Sequence, residues 1–218
     1  MGFWDWLTGA PKRYAVTDDV IWMTQPAKFN GLRLTAQERL PRGDVVLVIA
    51  HFPKTLGQVK EAFGQQPLKD LSHEKRLSPE AVFSPARLEA GPFLALASSL
   101  VCDAEPTAPN DEAPIVSILV AEHHFLKACD DRIIEFAASL GRRCRITFHS
   151  SLYDPLLRQF VGPWVLNLLS KLGISATESV ANPMLGRHIR KAQAQISRQV
   201  RDEGPAESAE EWLQRNEY

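Results

Sequence analysis

The sequence predicts an α/β protein: a parallel sheet sandwiched by helices, followed by a C-terminal helical extension. Two runs, Val45–Ala50 and Ile115–Val120, are unbroken, apolar and rich in β-branched residues, as strands buried on both faces require. Each run leads within a few residues into a segment of helical periodicity. Strands that alternate with helices in this way fit parallel strands joined by helical crossovers.

The elements follow in order. Phe3, Trp4, Trp6 and Leu7 crowd the first seven residues, and Ala10–Tyr14 then breaks any helix and brings in Lys12 and Arg13. Val20–Met23 reads as a short strand, Thr24–Leu40 as loop then helix, and Pro41–Asp44 as a turn. After the strand Val45–Ala50, His51–Lys54 forms a loop and Thr55 is the N-cap of a helix to Phe63. Gln65–Leu77 is polar, and Ser78, Pro79 and Glu80 open a helix with proline in its first turn. Phe93–Val101 reads as a strand, and Cys102–Pro114, with three prolines and four acidic residues, as an exposed loop. The strand Ile115–Val120 runs into Glu122, His123 and His124, then a helix to Leu140 ended by Gly141. Cys144–Phe148 is a third clear strand, and Asp154–Leu172 is an apolar helix stopped by Gly173. A last helix spans Pro183–Val200, and the acidic tail Asp202–Tyr218 forms a loosely docked short helix. The expected organisation is an amphipathic segment at 1–14, the α/β domain at 15–154, a helical extension at 155–200 and the tail at 201–218. The C-terminal quarter is expected to be all helix and to lie outside the sheet.

Composition narrows the function. The 25 basic and 26 acidic residues leave a formal net charge of -1, so the chain has no basic field for nucleic acid. Three cysteines, Cys102, Cys129 and Cys144, with no CxxC spacing, exclude a disulfide framework and a four-cysteine zinc site. The longest apolar run, Phe93–Val101, is far short of the ~20 residues a spanning helix needs. The start lacks the basic and long apolar regions of a secretory signal. A cytoplasmic chain is expected, with any membrane contact peripheral, at the inner face of the plasma membrane.

Phosphate-binding and hydrolytic motifs are missing. The sequence holds no GxxxxGK[ST], no GxGxxG after a strand, no GxSxG and no HExxH. His123 and His124 are adjacent, so on a helix they diverge by about 100° and do not share a metal with Cys129 easily. They read instead as one capping and one solvated imidazole, and neither a metal nor a cofactor is expected. Glu122 and Asp154 are the carboxylates best placed at strand ends, where open parallel sheets collect ligands. The competing roles are structural: Glu122 favours a helix start through the macrodipole, and Asp154 caps the following helix.

From Ile118 to Gln193 the chain resembles SecA, the motor ATPase of bacterial protein export, in its second RecA-like nucleotide-binding fold and the start of its helical scaffold. The family's Gly-Thr-Glu-Arg-His corresponds to Val120–His124, its Phe-Tyr-Leu-Ser-Leu-Glu-Asp to Phe148–Asp154, and its Leu-Leu-Arg-x-Phe to Leu156–Phe160. Val165–Ile174 resembles the helix ending in Leu-Gly-Met, while Glu178–Leu185 and Ala192-Gln193 resemble the Glu-Pro-Ile-x-x-Pro segment and the Ala-Gln after it. Asp19–Thr24 with Lys28, Gly43–Val48 and Phe52–Leu56 match more faintly, and Gln65–Pro114 does not match. The resemblance implies a RecA-like, P-loop-NTPase-like sheet.

The departures bear on activity. The family's Gln-x-x-Gly-Arg-x-Gly-Arg-x-Gly helix carries arginines that reach nucleotide phosphates; without gaps, those positions are Ile134, Phe136 and Ser139. An arginine finger is worth roughly 10³–10⁵ in rate, and none of these side chains supplies it. Arg142 and Arg143 lie a turn later and compensate only if the helix shifts, which makes them, with Glu122, the weak candidates for a nucleotide contact. The Asn-Met-Ala-Gly-Arg-Gly-Thr-Asp segment, the first nucleotide-binding fold and the peptide-binding domain have no counterpart in these 218 residues.

The expected function is therefore a non-catalytic binding module, a pseudoenzyme that takes no cofactor. Its partner is a protein, either the export machinery or a full-length motor ATPase. The alternative is a component that completes a composite ATP site on another chain of a translocation motor. Partner contact is assigned to the last helix, whose Arg187, Arg190, Lys191 and Arg198 form a solvated basic face opposite Leu185, Ile189, Ala192, Ile196 and Val200.

Membrane contact is assigned to Phe3, Trp4, Trp6 and Leu7. Phe3, Trp4 and Leu7 line one side of a short helix, and Trp6 suits the headgroup level. Lys12 and Arg13 meet anionic lipid, at on the order of 1 kcal/mol each. In the alternative, both tryptophans seal an edge of the core. Tryptophan fluorescence with anionic vesicles separates the two. The anchor predicts a blue shift that is lost at high salt and in a variant starting at Ala10. Unchanged emission, with the truncated variant unfolding at lower denaturant, assigns these residues to the core.

Overall fold

The structure, a computed structural model, describes residues 13–82, 91–102, 113–160, 171, 173–181, 183–200 and 202–217. In chain order the elements are β1 (Tyr14–Val16), β2 (Val20–Trp22), α1 (Gln25–Arg39), β3 (Val45–Ala50), α2 (Pro53–Phe63), β4 (Lys69–Asp70), α3 (Pro79–Val82), β5 (Phe93–Leu96) and β6 (Val116–Val120). They continue with α4 (Lys127–Ser139), β7 (Cys144–Ser151), α5 (Pro155–Phe160), β8 (Ser179–Ala181), α6 (Pro183–Ile196) and α7 (Ala209–Arg215).

The sheet runs β4-β5-β3-β6-β7-β2-β8, and β1 pairs with the first part of β7. Every pairing is parallel except β2 with β8. The two apolar runs form the central pair, β3 and β6, and are buried on both faces. On one face Leu47, Ile49, Ile118 and Val120 pack with Ile133 and Phe136 of α4. On the other, Val46, Val48 and Leu119 pack with Phe29 and Leu32 of α1 and Val59 and Phe63 of α2. A third core gathers beyond the sheet, where Leu156 and Leu157, Leu185 and Ile189, and Trp212 bring α5, α6 and α7 together.

Several sequence expectations change. The C-terminal quarter does not stay outside the sheet, because β8 adds an antiparallel edge strand to β2. It spans three largely exposed residues and carries no apolar run to betray it. α2 begins at Pro53 with Phe52 as its extended N-cap, so Thr55 lies inside the helix and is no cap. Phe93–Val101 divides into β5 and a 3₁₀ turn at Ala97–Ser99, β7 continues past Phe148 to Ser151, and α6 ends at Ile196. The tail is firmly rather than loosely docked: Trp212 is 1% exposed and stacks on Phe125 at 4.7 Å between ring centroids. Residues 1–12 of the expected amphipathic segment 1–14, with Phe3, Trp4, Trp6 and Leu7, most of the loop Cys102–Pro114, and residues 161–170 and 172 of the expected apolar helix lie outside the described residues. Among the described residues, no helix is long and apolar enough to cross a membrane.

Candidate functional site

The carboxyl ends of β3, β5, β6, β7 and β2 lie along one edge of the sheet, so the residues just after them meet there. These include His51 after β3, Glu122–His124 after β6 and Leu152–Asp154 after β7. Three buried carboxylates organise the edge.

Asp130, on the first turn of α4, is the most heavily used. His123 Nδ1 lies 2.7 Å from its Oδ2, the His124 backbone N–H donates to Oδ1 at 3.0 Å, and Gln193 Nε2 donates to Oδ2 at 2.7 Å. His51 Nε2 is 2.8 Å from Oδ1, out of line for a well-formed hydrogen bond. Burial alone pushes Asp130 up, but His123 and then His51 outweigh it and hold the carboxyl well below the usual range. The other nitrogen of His123 is 3.3 Å from Asp19 Oδ1. Burial disfavours the imidazolium, yet Asp130 and Asp19 together raise His123 to about 10. Gly186 of α6 lets Asp19 approach, since a Cβ there sits 2.5 Å from Asp19 Oδ2.

Glu122 reaches across to the start of α2. It accepts from the backbone N–H groups of His51 and Phe52, at 3.2 and 3.3 Å, and from Thr55 Oγ1 at 2.7 Å. This carboxylate therefore occupies an amino-terminal helix position of the kind that holds anions, and a phosphate has no vacancy there. Burial pushes its pKa up, against the opposing pull of Lys28, His51 and Thr55. Asp154 binds Lys28 Nζ through both oxygens, at 2.8 and 3.0 Å, and takes the Ser151 N–H at 2.8 Å. Lys28 is itself only 1% exposed.

The two adjacent histidines depart from expectation, since neither is solvated. His123 is the charged bridge described above, while His124 accepts the Leu126 N–H at Nδ1 and meets Trp212 edge-on. Burial, reinforced by His51, lowers His124 to about 3. Glu122 does not serve its own helix start; it caps α2 instead. Asp154 does precede α5, with its side chain turned to Lys28 and Ser151.

The other singled-out residues lie elsewhere. Arg142 and Arg143 precede β7 at the opposite end of the sheet from Glu122, where the Arg143 carbonyl receives the Val116 N–H. Arg187, Arg190, Lys191 and Arg198 are exposed, with Arg198 in the turn beyond α6. Leu185, Ile189, Ala192 and Ile196 form the buried face of α6. Phe136 is 0% exposed in the core, Ile134 packs beside it, and Ser139 Oγ donates to the Phe136 carbonyl at 2.7 Å. Two residues escaped the sequence reading, Asp130 and His51, while Asp19 entered it only as the first residue of the faintly matched Asp19–Thr24. A lone aspartate in an amphipathic helix and a histidine in a strand-end loop carry no spacing signal.

These features define a parallel α/β domain of the RecA-like kind whose ligand-facing edge is closed by its own side chains. Five of the residues matched to SecA by sequence, Lys28, Glu122, His124, Asp154 and Gln193, meet at this edge. In sequence the chain is similar to part of SecA. It is 24% identical over 195 residues to the protein translocase subunit SecA of Salinibacter ruber, covering 87% of this chain and 17% of that protein. To SecA of Nitratiruptor sp. it is 27% identical over 191 residues, covering 82% and 21%. To SecA of Symbiobacterium thermophilum it is 33% identical over 79 residues, covering 36% and 9%. The chain thus spans about a fifth or less of these relatives' length.

No family model matches the chain. Among solved structures, the C-terminal part of the Fun30 ATPase domain overlays with a TM-score of 0.44 at 10% identity, covering 78% of this chain and 54% of that one. Domain 2 of the DEAD-box helicase Mss116p, solved with an RNA duplex, gives 0.39 at 14% identity, covering 85% and 73%. The fold assignment rests on the strand order and the sequence relatives, not on these overlays.

The buried histidines set a pH profile. His123 is raised to about 10, so its contribution is complete below its unfolded value near 6.5 and is lost as pH rises toward 10. His124 and His149 are lowered, to about 3 and about 4, so their contributions hold above that same unfolded value and are lost as pH falls. Urea midpoints are predicted to peak near pH 6.5 and fall on both sides. His123→Gln flattens the alkaline limb whatever its effect on the maximum. An alkaline limb that keeps its slope in this variant contradicts the His123 assignment.

Proposed function

We propose that this chain is a non-catalytic, SecA-like binding module serving protein export, which docks on the export machinery or on a full-length motor ATPase. One observation carries the reading. Where the resemblance places phosphate-reaching arginines, Phe136 is buried in the core, Ile134 lies partly buried against it, and Ser139 turns back onto its own helix.

The closed edge adds support. Glu122 takes up the amides of His51 and Phe52 just ahead of α2, and Lys28 is engaged by Asp154. Lys54, nearby on α2, reaches Glu210 of the tail. The alternative, a composite ATP site completed on another chain, needs basic groups at this edge that are free to meet phosphate, and these two are engaged. Binding falls instead to outer surfaces, and the exposed basic face of α6 is the one assigned to it. That helix cannot be removed as a unit, because Gln193 and the apolar residues on its other face belong to the interior.

The test has two arms. Calorimetry with Mg-ATP is expected to give no saturable heat below about 1 mM, and a micromolar affinity overturns the reading. Immobilised full-length SecA, alone or on translocon-bearing membranes, is expected to retain this chain. Charge reversal at Arg187, Arg190 and Lys191 weakens retention at least about tenfold with the melting temperature unchanged. Retention that survives the reversal removes α6 from the interface.

A further inference from the structure

Beside the closed edge lies a cavity of about 500 Å³ whose lining includes His51, Phe52, Leu96, Ser98, Asp202 and Glu207. We propose that this cavity binds an alkylammonium or guanidinium group, either of a free amine or of a lysine or arginine side chain on a partner segment.

The deepest polar group there is His51. Its side chain is fully buried and neither ring nitrogen has a well-formed hydrogen bond, although Nε2 lies 2.8 Å from Asp130 Oδ1. Beside a carboxylate the ring proton belongs on Nε2, which leaves an acceptor lone pair on Nδ1. A buried acceptor without a donor is a costly arrangement, and a ligand bearing N–H groups relieves it.

The rim selects the charge. Asp202 and Glu207 are exposed, and among the described residues the basic groups beside them are engaged: Arg132 holds Glu203 through both oxygens, Lys54 reaches Glu210, and Arg215 pairs with Glu211. Asp202 Oδ1 takes only the Gly204 N–H among the described contacts. Nearby, His124 adds no positive charge, because burial keeps it neutral, and the charge on His123 is shared between Asp130 and Asp19. The field at the mouth is therefore negative, so an anion is repelled and a cation concentrated. Phe52, Leu96 and Pro205 supply apolar wall for the methylene stem behind the charged head.

The full chain is titrated with n-butylammonium, agmatine and an uncharged-ended Gly-Lys-Gly peptide, while the ¹⁵N signals of its histidines are followed. Tetramethylammonium, which lacks N–H donors, and butyrate are the controls. The proposal predicts saturable binding of at least one N–H cation, with the His51 Nδ1 resonance moving as a hydrogen bond forms. Binding of the free amines points to a small-molecule ligand, and binding of the peptide alone points to a partner segment. His51→Phe keeps the ring volume and is expected to weaken binding about tenfold. Asp202→Asn with Glu207→Gln alters only exposed side chains, leaves folding intact and is expected to weaken it about as much. The proposal is overturned if no cation saturates, if tetramethylammonium or butyrate binds as well, or if the rim variant binds like the parent.

Discussion

Charges buried at the carboxyl edge of the sheet must be neutralised, and in this chain they are neutralised by the chain itself. Asp130, Glu122 and Asp154 leave water on folding, and an unpaired carboxylate in such a place is prohibitively costly. Each is answered in part by groups from distant sequence: Asp130 by His51 and Gln193 together with the nearer His123, Glu122 by the residues that lead into α2, and Asp154 by Lys28. Because these partners come from α1, the β3–α2 loop, the β6–α4 loop and α6, satisfying the charges also fixes how those elements meet. The polar network thus specifies one arrangement of an edge that apolar packing alone leaves loosely defined.

The same constraint shapes function. In an open parallel sheet the carboxyl edge is where ligands gather, because loops diverge there and helix amino termini point inward. Here Glu122 occupies one such amino terminus, and the segment 202–215 folds over the edge, held by Arg132 to Glu203, Lys54 to Glu210 and the stacked Trp212. In the reading proposed above these groups serve one another rather than a nucleotide, and recognition is assigned to the exposed basic face of α6 and to the side cavity beside His51.

The legibility of the sequence follows from the physics of each element. β3 and β6 were legible because strands buried on both faces need continuous apolar residues, and α6 because one face is basic and the other aliphatic. β1, β4 and β8 were missed, since two- or three-residue strands at the sheet margin carry no periodicity. Thr55 was misread because a threonine beside a helix start fits both an N-cap and a partner for a carboxylate, and only tertiary structure chooses. At the site, Lys28, Glu122, His124, Asp154 and Gln193 stood out by family resemblance, whereas Asp130 did not. Its role depends on His51 and Gln193, which only the fold brings beside it, as well as on the nearby His123 and His124.

If Lys28 and Asp154 serve each other and not an external phosphate, their energies are coupled, and a double-mutant cycle followed by urea unfolding reads that coupling. Lys28→Met and Asp154→Leu singly are each predicted to cost about 3–5 kcal/mol, because each strands a buried charge, and the double variant to recover most of that loss. Single variants that each cost under about 1 kcal/mol, with additive effects in the double, would contradict the claim and leave Lys28 free for another ligand.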